Sequence, residues 1–244
     1  MTTGPTSLAF FSDVHGNASA LAAVLADFRA RRIERIYCLG DLVGYGPSPN
    51  EVIALIRAAR IPTVAGNYDD GVGFERGGCG CYYADDEARR IGDASYAFTV
   101  AGVSAANQAW LRALPRELRF EAGRRRFHLV HGSPRRINEY LAEERDPRTY
   151  ERLASFEDAD VLVFGHTHVP WHRRHGNVLF VNAGSAGRPK DGDPRAGYTL
   201  LHLPTDGDPE VTVVRVPYDV ETTVAGVLAA GLPPALADAF RSGR

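Results

Sequence analysis

Cysteine is scarce in this 244-residue chain. Only Cys38, Cys79 and Cys81 occur, too few for a disulfide framework. No stretch approaches the roughly 18 unbroken apolar residues that a membrane helix needs. A basic start leading into an apolar signal core is also missing: Leu8-Ala9-Phe10-Phe11 stops at Ser12-Asp13 and reads as a strand. The expectation is a cytoplasmic protein with no membrane partner. Charge of one sign is lacking too. Twenty-eight Lys and Arg face 30 Asp and Glu, a formal net charge of -2, and no basic stripe tracks a nucleic-acid backbone. Internal repeats and long low-complexity linkers are absent.

What is present is ordinary for a globular protein: 44% hydrophobic and 24% charged residues. A single domain commonly runs to about 200–250 residues, so one domain over 1–244 is expected. Leu8 to Phe11, Ile36 to Leu39 and Ile61 to Ala65 read as strands. Between them Leu21, Val24, Leu25 and Phe28, then Val52, Ile53 and Ile56, fall at helical spacing. This βαβαβ rhythm predicts parallel strands. Residues 66–80 read as a glycine-rich loop, followed by helices around 85–91 and 105–114. Two strands flanking Ala122-Gly123 read as a hairpin, and further strands fall at 161–164, 178–181, 198–203 and 211–216. A closing helix after Val220 is broken at Pro233-Pro234. A parallel half followed by a hairpin-rich half predicts two packed sheets with helices outside.

Five apolar runs stop at residue types that bind metals. They lead to Asp13 and His15, to Asp41, to Asn67, to His131, and to His166 and His168. Ligands of open α/β sheets lie beyond the carboxyl ends of the strands, so these side chains are expected to converge. Glycines at 16, 40, 66, 132 and 165 suit tight turns there. A lone strand-end His is usually structural, and an Asp before a helix is usually a cap. Those readings do not explain why all seven positions carry ligand types.

The motifs Asp13-Val14-His15, Gly40-Asp41, Gly66-Asn67, His131-Gly132 and Gly165-His166-Thr167-His168 stand in the order of the calcineurin-like metallophosphoesterases. The chain most resembles their compact bacterial YfcE-like branch. The resemblance implies an α/β fold of two packed mixed β-sheets flanked by helices, an α/β/β/α four-layer sandwich. It also implies that Asp13, His15 and His168 hold one metal, that Asn67, His131 and His166 hold a second, and that Asp41 bridges them. Two divalent or mixed-valent ions follow, manganese first, with iron or zinc accepted by the same donors. Two such cations with two aspartates leave net positive charge for a phosphate. The implied reaction is in-line attack by a metal-bridging hydroxide.

One position departs from the family pattern. Gly66-Asn67-Tyr68-Asp69 carries Tyr68 where the family usually has a His credited with protonating the leaving group. A phenol with a reference pKa near 10 is a poor acid, so substrates whose leaving group needs little protonation are expected. Catalytic roles then fall to Asp41, His131 and Tyr68. Substrate contacts are assigned to Asn17, Asn67, Arg135, Arg136 and Arg188, since arginine grips phosphate bidentately. Asn17 reads equally as a helix cap, and Asp69 as a partner of a metal-bound His. Arg124-Arg125-Arg126 reads as a solvated turn. Cys79-Gly80-Cys81 reads as a reduced, flexible loop near the site, with metal binding or oxidation as the alternative; Cys38 reads as a core thiol.

The expected substrate is small, phosphorylated and nucleotide-like: a phosphodiester or a phosphoanhydride such as a dinucleoside tetraphosphate. The alternative from another class is a non-catalytic metal-binding scaffold acting in protein–protein interaction. A nuclease or protein phosphatase fits less well, for want of a basic stripe or a peptide groove. Oligomeric state is not legible.

Overall fold

The computed structural model describes residues 6–244. Its strands are β1 (Thr6–Phe11), β2 (Arg35–Cys38), β3 (Glu117–Ala122), β4 (Arg125–Val130), β5 (Val161–Phe164), β6 (Trp171–His175), β7 (Val178–Asn182), β8 (Ala196–Leu203) and β9 (Glu210–Val216). Its helices are α1 (Ala18–Ala30), α2 (Pro49–Ala59), α3 (Asn67–Gly73), α4 (Asp86–Gly102), α5 (Ala105–Arg112), α6 (Pro147–Phe156), α7 (Val220–Ala229) and α8 (Pro234–Ser242).

Two mixed sheets face each other. One runs β2-β1-β8-β9, the other β3-β4-β5-β7-β6. Alternation along the strands builds the layers. Leu8 and Phe10 of β1 meet Phe127, Leu129, Val161 and Val163 between the sheets. Ala9 and Phe11 point the other way, into a core with α1, α2, α7 and α8. Leu162 and Phe164 of β5 face Tyr150 and Leu153 of α6. The result is the expected α/β/β/α sandwich. Phe10 stacks at 5.6 Å on Tyr37 and 6.0 Å on Phe127, pairs worth about 0.5–1.5 kcal/mol each beyond burial.

The assembly differs from a parallel half joined to a hairpin half. β1 pairs in parallel with β2 but antiparallel with β8, which arrives from late in the chain. The third predicted strand is reduced to a single bridge, Cys38 to Thr63. Pro62 in that stretch has no N–H to extend a ladder. The expected glycine-rich loop contains α3, and α6 and β6 were not predicted. Cys38 is buried in the core, and burial pushes its thiol up.

Candidate metal centre

Six of the seven predicted ligands sit just past the ends of β1, β2, β4 and β5, while Asn67 opens α3 after the single Cys38–Thr63 bridge. Asp13, His15, Asp41, His166 and His168 all have positive φ, between 49° and 67°. Left-handed backbone costs an ordinary residue on the order of 1 kcal/mol, and such strain clusters at functional sites. Close approach needs glycine beside them. Gly40 has φ +89°, and a Cβ on Gly66 would lie 2.0 Å from Asp41 Oδ1.

The side chains form two buried groups, Asp13 with His15 and His168, and Asp41 with His131 and His166. In each, the donor atoms lie within 4.8 Å of one another. Asp41 Oδ2 stands between them, 3.7 Å from His15 Nε2 and 3.4 Å from His131 Nε2. Its Oδ1 accepts from Tyr68 N at 2.8 Å, which fixes the carboxylate. Asp13 Oδ2 accepts from His166 N at 2.9 Å, while Oδ1 is buried without a partner, 3.6 Å from His15 Nε2 and 3.3 Å from His168 Nε2. Asn67 Oδ1 lies 3.0 Å from His131 Nε2 and joins the second group.

The imidazoles are oriented as ligands. Nδ1 of His15, His131 and His168 faces the carbonyls of Val43 (3.0 Å), Leu39 (2.7 Å) and Arg188 (2.5 Å). A carbonyl only accepts, so each Nδ1 donates, and in a neutral ring Nε2 keeps its lone pair for the site. His15 and His168 then bring two lone pairs to 3.1 Å, a repulsive contact that a cation resolves. His166 Nε2 is buried with no partner. Orphaned donors, paired carboxylates and tied-back rings fit divalent cations.

The ionisation pattern agrees. Burial would raise Asp13, but His168 and its histidine neighbours hold it well below the usual carboxylate range. Asp41 is lowered likewise, His131 outweighing burial. Burial and the His131 charge lower His166 to about 4. Burial, then Lys190, push His168 further down, so both rings stay neutral. Burial lowers His131 as well, but Asp41 overrides it and raises the ring to about 9. Its Nε2 proton faces Asp41 and Asn67, where a cation would displace it.

Other predicted positions are used differently. Asn17 is fully engaged: Oδ1 accepts from Ala20 N and Thr223 Oγ1, and Nδ2 donates to Gly187 O and Tyr218 OH. It caps α1 and ties down its neighbours, with no group left for a substrate. Asp69 binds no histidine; it accepts from Leu42 N and Gly66 N and so clamps the Asp41 loop. Burial and the Asp41 charge push Asp69 up to about 7. Arg135 pairs with Glu139, and it lines a hollow beside α6 rather than the metal groups. Arg136 is exposed, and its carbonyl accepts from Ser133 N. Arg188 lies over the Tyr45 ring at 4.2 Å, its Nε buried without a partner. In the arginine turn, Arg126 pairs with Asp160 and Arg125 approaches Asp208.

Tyr68 is fully buried, its ring edge-on to His15 at 5.4 Å, and its hydroxyl has no partner. Burial raises its phenol well above the ordinary value, so it stays protonated. The cavity over the ligands is about 200 Å³ and is also lined by Tyr45, Tyr68, Tyr140, Cys81 and Lys190. Lys190 is exposed as a residue, and desolvation of its ammonium at the cavity, then neighbouring Arg188, lower it to about 8. Sequence reasoning missed Tyr45, Tyr140 and Lys190 in the wall. Tyr45 and Tyr140 follow the strand ends that lead to Asp41 and His131, but Lys190 follows β7, which carries no ligand, and had no local signal. A larger hollow of about 740 Å³ beside α6 is lined by none of the seven predicted ligands.

Comparison with known proteins follows the same lines. A family model described as the calcineurin-like phosphoesterase superfamily domain matches residues 7–206. The uncharacterized protein MJ0912 of Methanocaldococcus jannaschii is 31% identical, over 97% of this chain and 98% of that protein. The phosphodiesterase YfcE of Escherichia coli strain K12 is 28% identical, over 80% and 86%. Among solved structures, a metallophosphoesterase from Sphaerobacter thermophilus superposes with TM-score 0.79 at 32% identity, covering 99% of this chain and all of that one. Among the described residues, no helix is long and apolar enough to cross a membrane.

Proposed function

Because the chain belongs to the calcineurin-like phosphoesterase superfamily, we propose that it hydrolyses a phosphodiester or a nucleotide phosphoanhydride at a dinuclear centre. Asp13, His15 and His168 would hold one cation, Asn67, His131 and His166 the other, and Asp41 would bridge. The observation that carries this reading is the position of Asp41 Oδ2, within 4 Å of a histidine from each group. When bound, such cations lower the pKa of water and clamp phosphoryl oxygens. Manganese is the first metal to try, ahead of iron and zinc.

The protein's own part is to hold and orient. The hydrogen-bonded Nδ1 atoms fix the rings, and the Tyr68 amide fixes Asp41. Lys190 and Arg188 add positive charge at the mouth for a polyanionic substrate. Against a bound substrate the Tyr68 hydroxyl, which has no partner in the fold, would donate a hydrogen bond but give up no proton at working pH. This favours leaving groups that need little protonation, such as the phosphates of a dinucleoside tetraphosphate or an aryl alcohol.

The test is turnover of bis(4-nitrophenyl) phosphate by metal-stripped protein resupplied with manganese. Dinucleoside tetraphosphate is then compared with a simple alkyl phosphate. Asp41→Asn should retain less manganese and lose at least about 10³-fold in rate, since the group shared by both cations is gone. Manganese retention without Asp41-dependent turnover of any ester would favour a binding scaffold and end the enzymatic reading.

A further inference from the structure

Cys79 and Cys81 lie against the second metal group, and nothing in the proposed hydrolysis uses their sulfurs. Their Sγ atoms are 2.7 Å apart. Both are free thiols, Cys79 buried and Cys81 half-buried on the wall of the active-site cavity. Gly80 between them has φ +68°, a backbone that folds the two side chains back on one another. The loop is docked rather than loose. Gly80 O accepts from Asn138 Nδ2 at 2.8 Å.

This loop also decides which way Asn67 faces. Asn67 Nδ2 donates to Cys79 O at 3.1 Å and to Cys81 Sγ at 3.2 Å. Both amide hydrogens are thereby directed at the loop, and Oδ1 is left facing His131 and the cation position. A flipped amide would set its oxygen against the Cys79 carbonyl and its N–H groups toward the cation, unfavourable at both ends.

We propose that Cys79 and Cys81 are a reversible oxidation site whose disulfide releases Asn67 and weakens the second metal. The inference rests on the reading of Asn67 as a ligand. The oxidant is a hydroperoxide. One thiolate attacks the peroxide O–O bond and becomes a sulfenic acid, with one water released. The second thiol displaces the hydroxyl as another water. In total, two thiols and one hydrogen peroxide give one disulfide and two waters. The bond draws the sulfurs to about 2.05 Å and leaves Cys81 a poorer acceptor for Nδ2. Loss of such an orienting contact typically costs about 10–100-fold in metal affinity.

The experiment treats the full chain with hydrogen peroxide, then with dithiothreitol. Trypsin releases residues 77–89 as one peptide holding both cysteines. After oxidation this peptide should resist alkylation and be two hydrogens lighter, and reduction should reverse both. Manganese affinity should fall at least about tenfold on oxidation and return on reduction. Cys79→Ser, which contributes only its carbonyl to Asn67, should bind manganese like the parent and ignore peroxide. Failure of the peptide to form the bond overturns the proposal, and so does a disulfide that leaves manganese affinity unchanged. The peptide mass does not depend on metal. Reduced protein that binds no manganese therefore refutes the metal centre and the coupling together, whether or not the sulfurs join.

Discussion

The Tyr68 hydroxyl should cost the folded protein stability and serve the reaction, and Tyr68→Phe separates the two. The hydroxyl is buried with no partner in the fold. Leaving such a group unsatisfied costs about 1–3 kcal/mol. The substitution removes that penalty and keeps the ring, which packs against His15 at 5.4 Å and Tyr45 at 4.9 Å. In a chain of this size each kcal/mol moves Tm by about 2–4 °C, so metal-stripped Tyr68→Phe should melt roughly 2–12 °C higher. If the phenol hydrogen-bonds a charged phosphoryl oxygen, its loss should cost about 1.5–3 kcal/mol of transition-state binding, a drop in kcat/KM of roughly 10- to 150-fold. Calorimetry on the stripped protein and initial rates on the manganese-loaded protein give the two numbers. A variant that melts at or below the parent refutes the orphaned hydroxyl. A more stable variant with unchanged kcat/KM refutes the phosphate contact.

Two more outcomes are expected. Chelation should lower Tm, because a cation at 100 times its Kd adds about 2.7 kcal/mol per site, and added manganese should restore it in a dose-dependent way. Acid should weaken the β4–α6 region. Burial pushes Glu157 up, but the His128 hydrogen bond at 2.7 Å, the His128 charge and Arg119 bring it down to about 2 from an ordinary 4.5. Its side chain is 4% exposed against His128, so its stabilisation is present above about pH 4.5 and lost as pH falls toward 2. Glu157→Gln should lower denaturant stability at pH 7 and flatten its acid dependence; an unaltered acid slope would contradict the assignment.

The candidate site was largely legible because its chemistry is written at strand ends. Apolar runs closing on Asp or His give both the strand and the candidate ligand, and the parallel β1–β2 and β4–β5 pairings bring those ends together. The elements that were missed send weaker signals. β6 is an edge strand, Trp171 to His175, with two arginines and an exposed histidine, so its one buried face leaves little alternation. α6 did carry a start signal, Asp146 capping and Pro147 at its first turn, but it buries only Tyr150 and Leu153. α3 hides among glycines, because Asn67 and Tyr68 are held by contacts from elsewhere in the chain. The engagement of Asn17 by Gly187, Thr223 and Tyr218 is a long-range event that no local pattern shows.

The central place of β1 bears on the order of events during synthesis. One edge of β1 finds β2 early, but the other waits for β8, and the Asp13 carbonyl waits for Ser185 Oγ and Gly187 N. Until that late hairpin leaves the ribosome, the nascent chain carries an open strand edge and a half-supported Asp13–His15 turn. Metal capture by the Asp13–His15–His168 group would thereby wait for β8, and products truncated before it should hold no cation there.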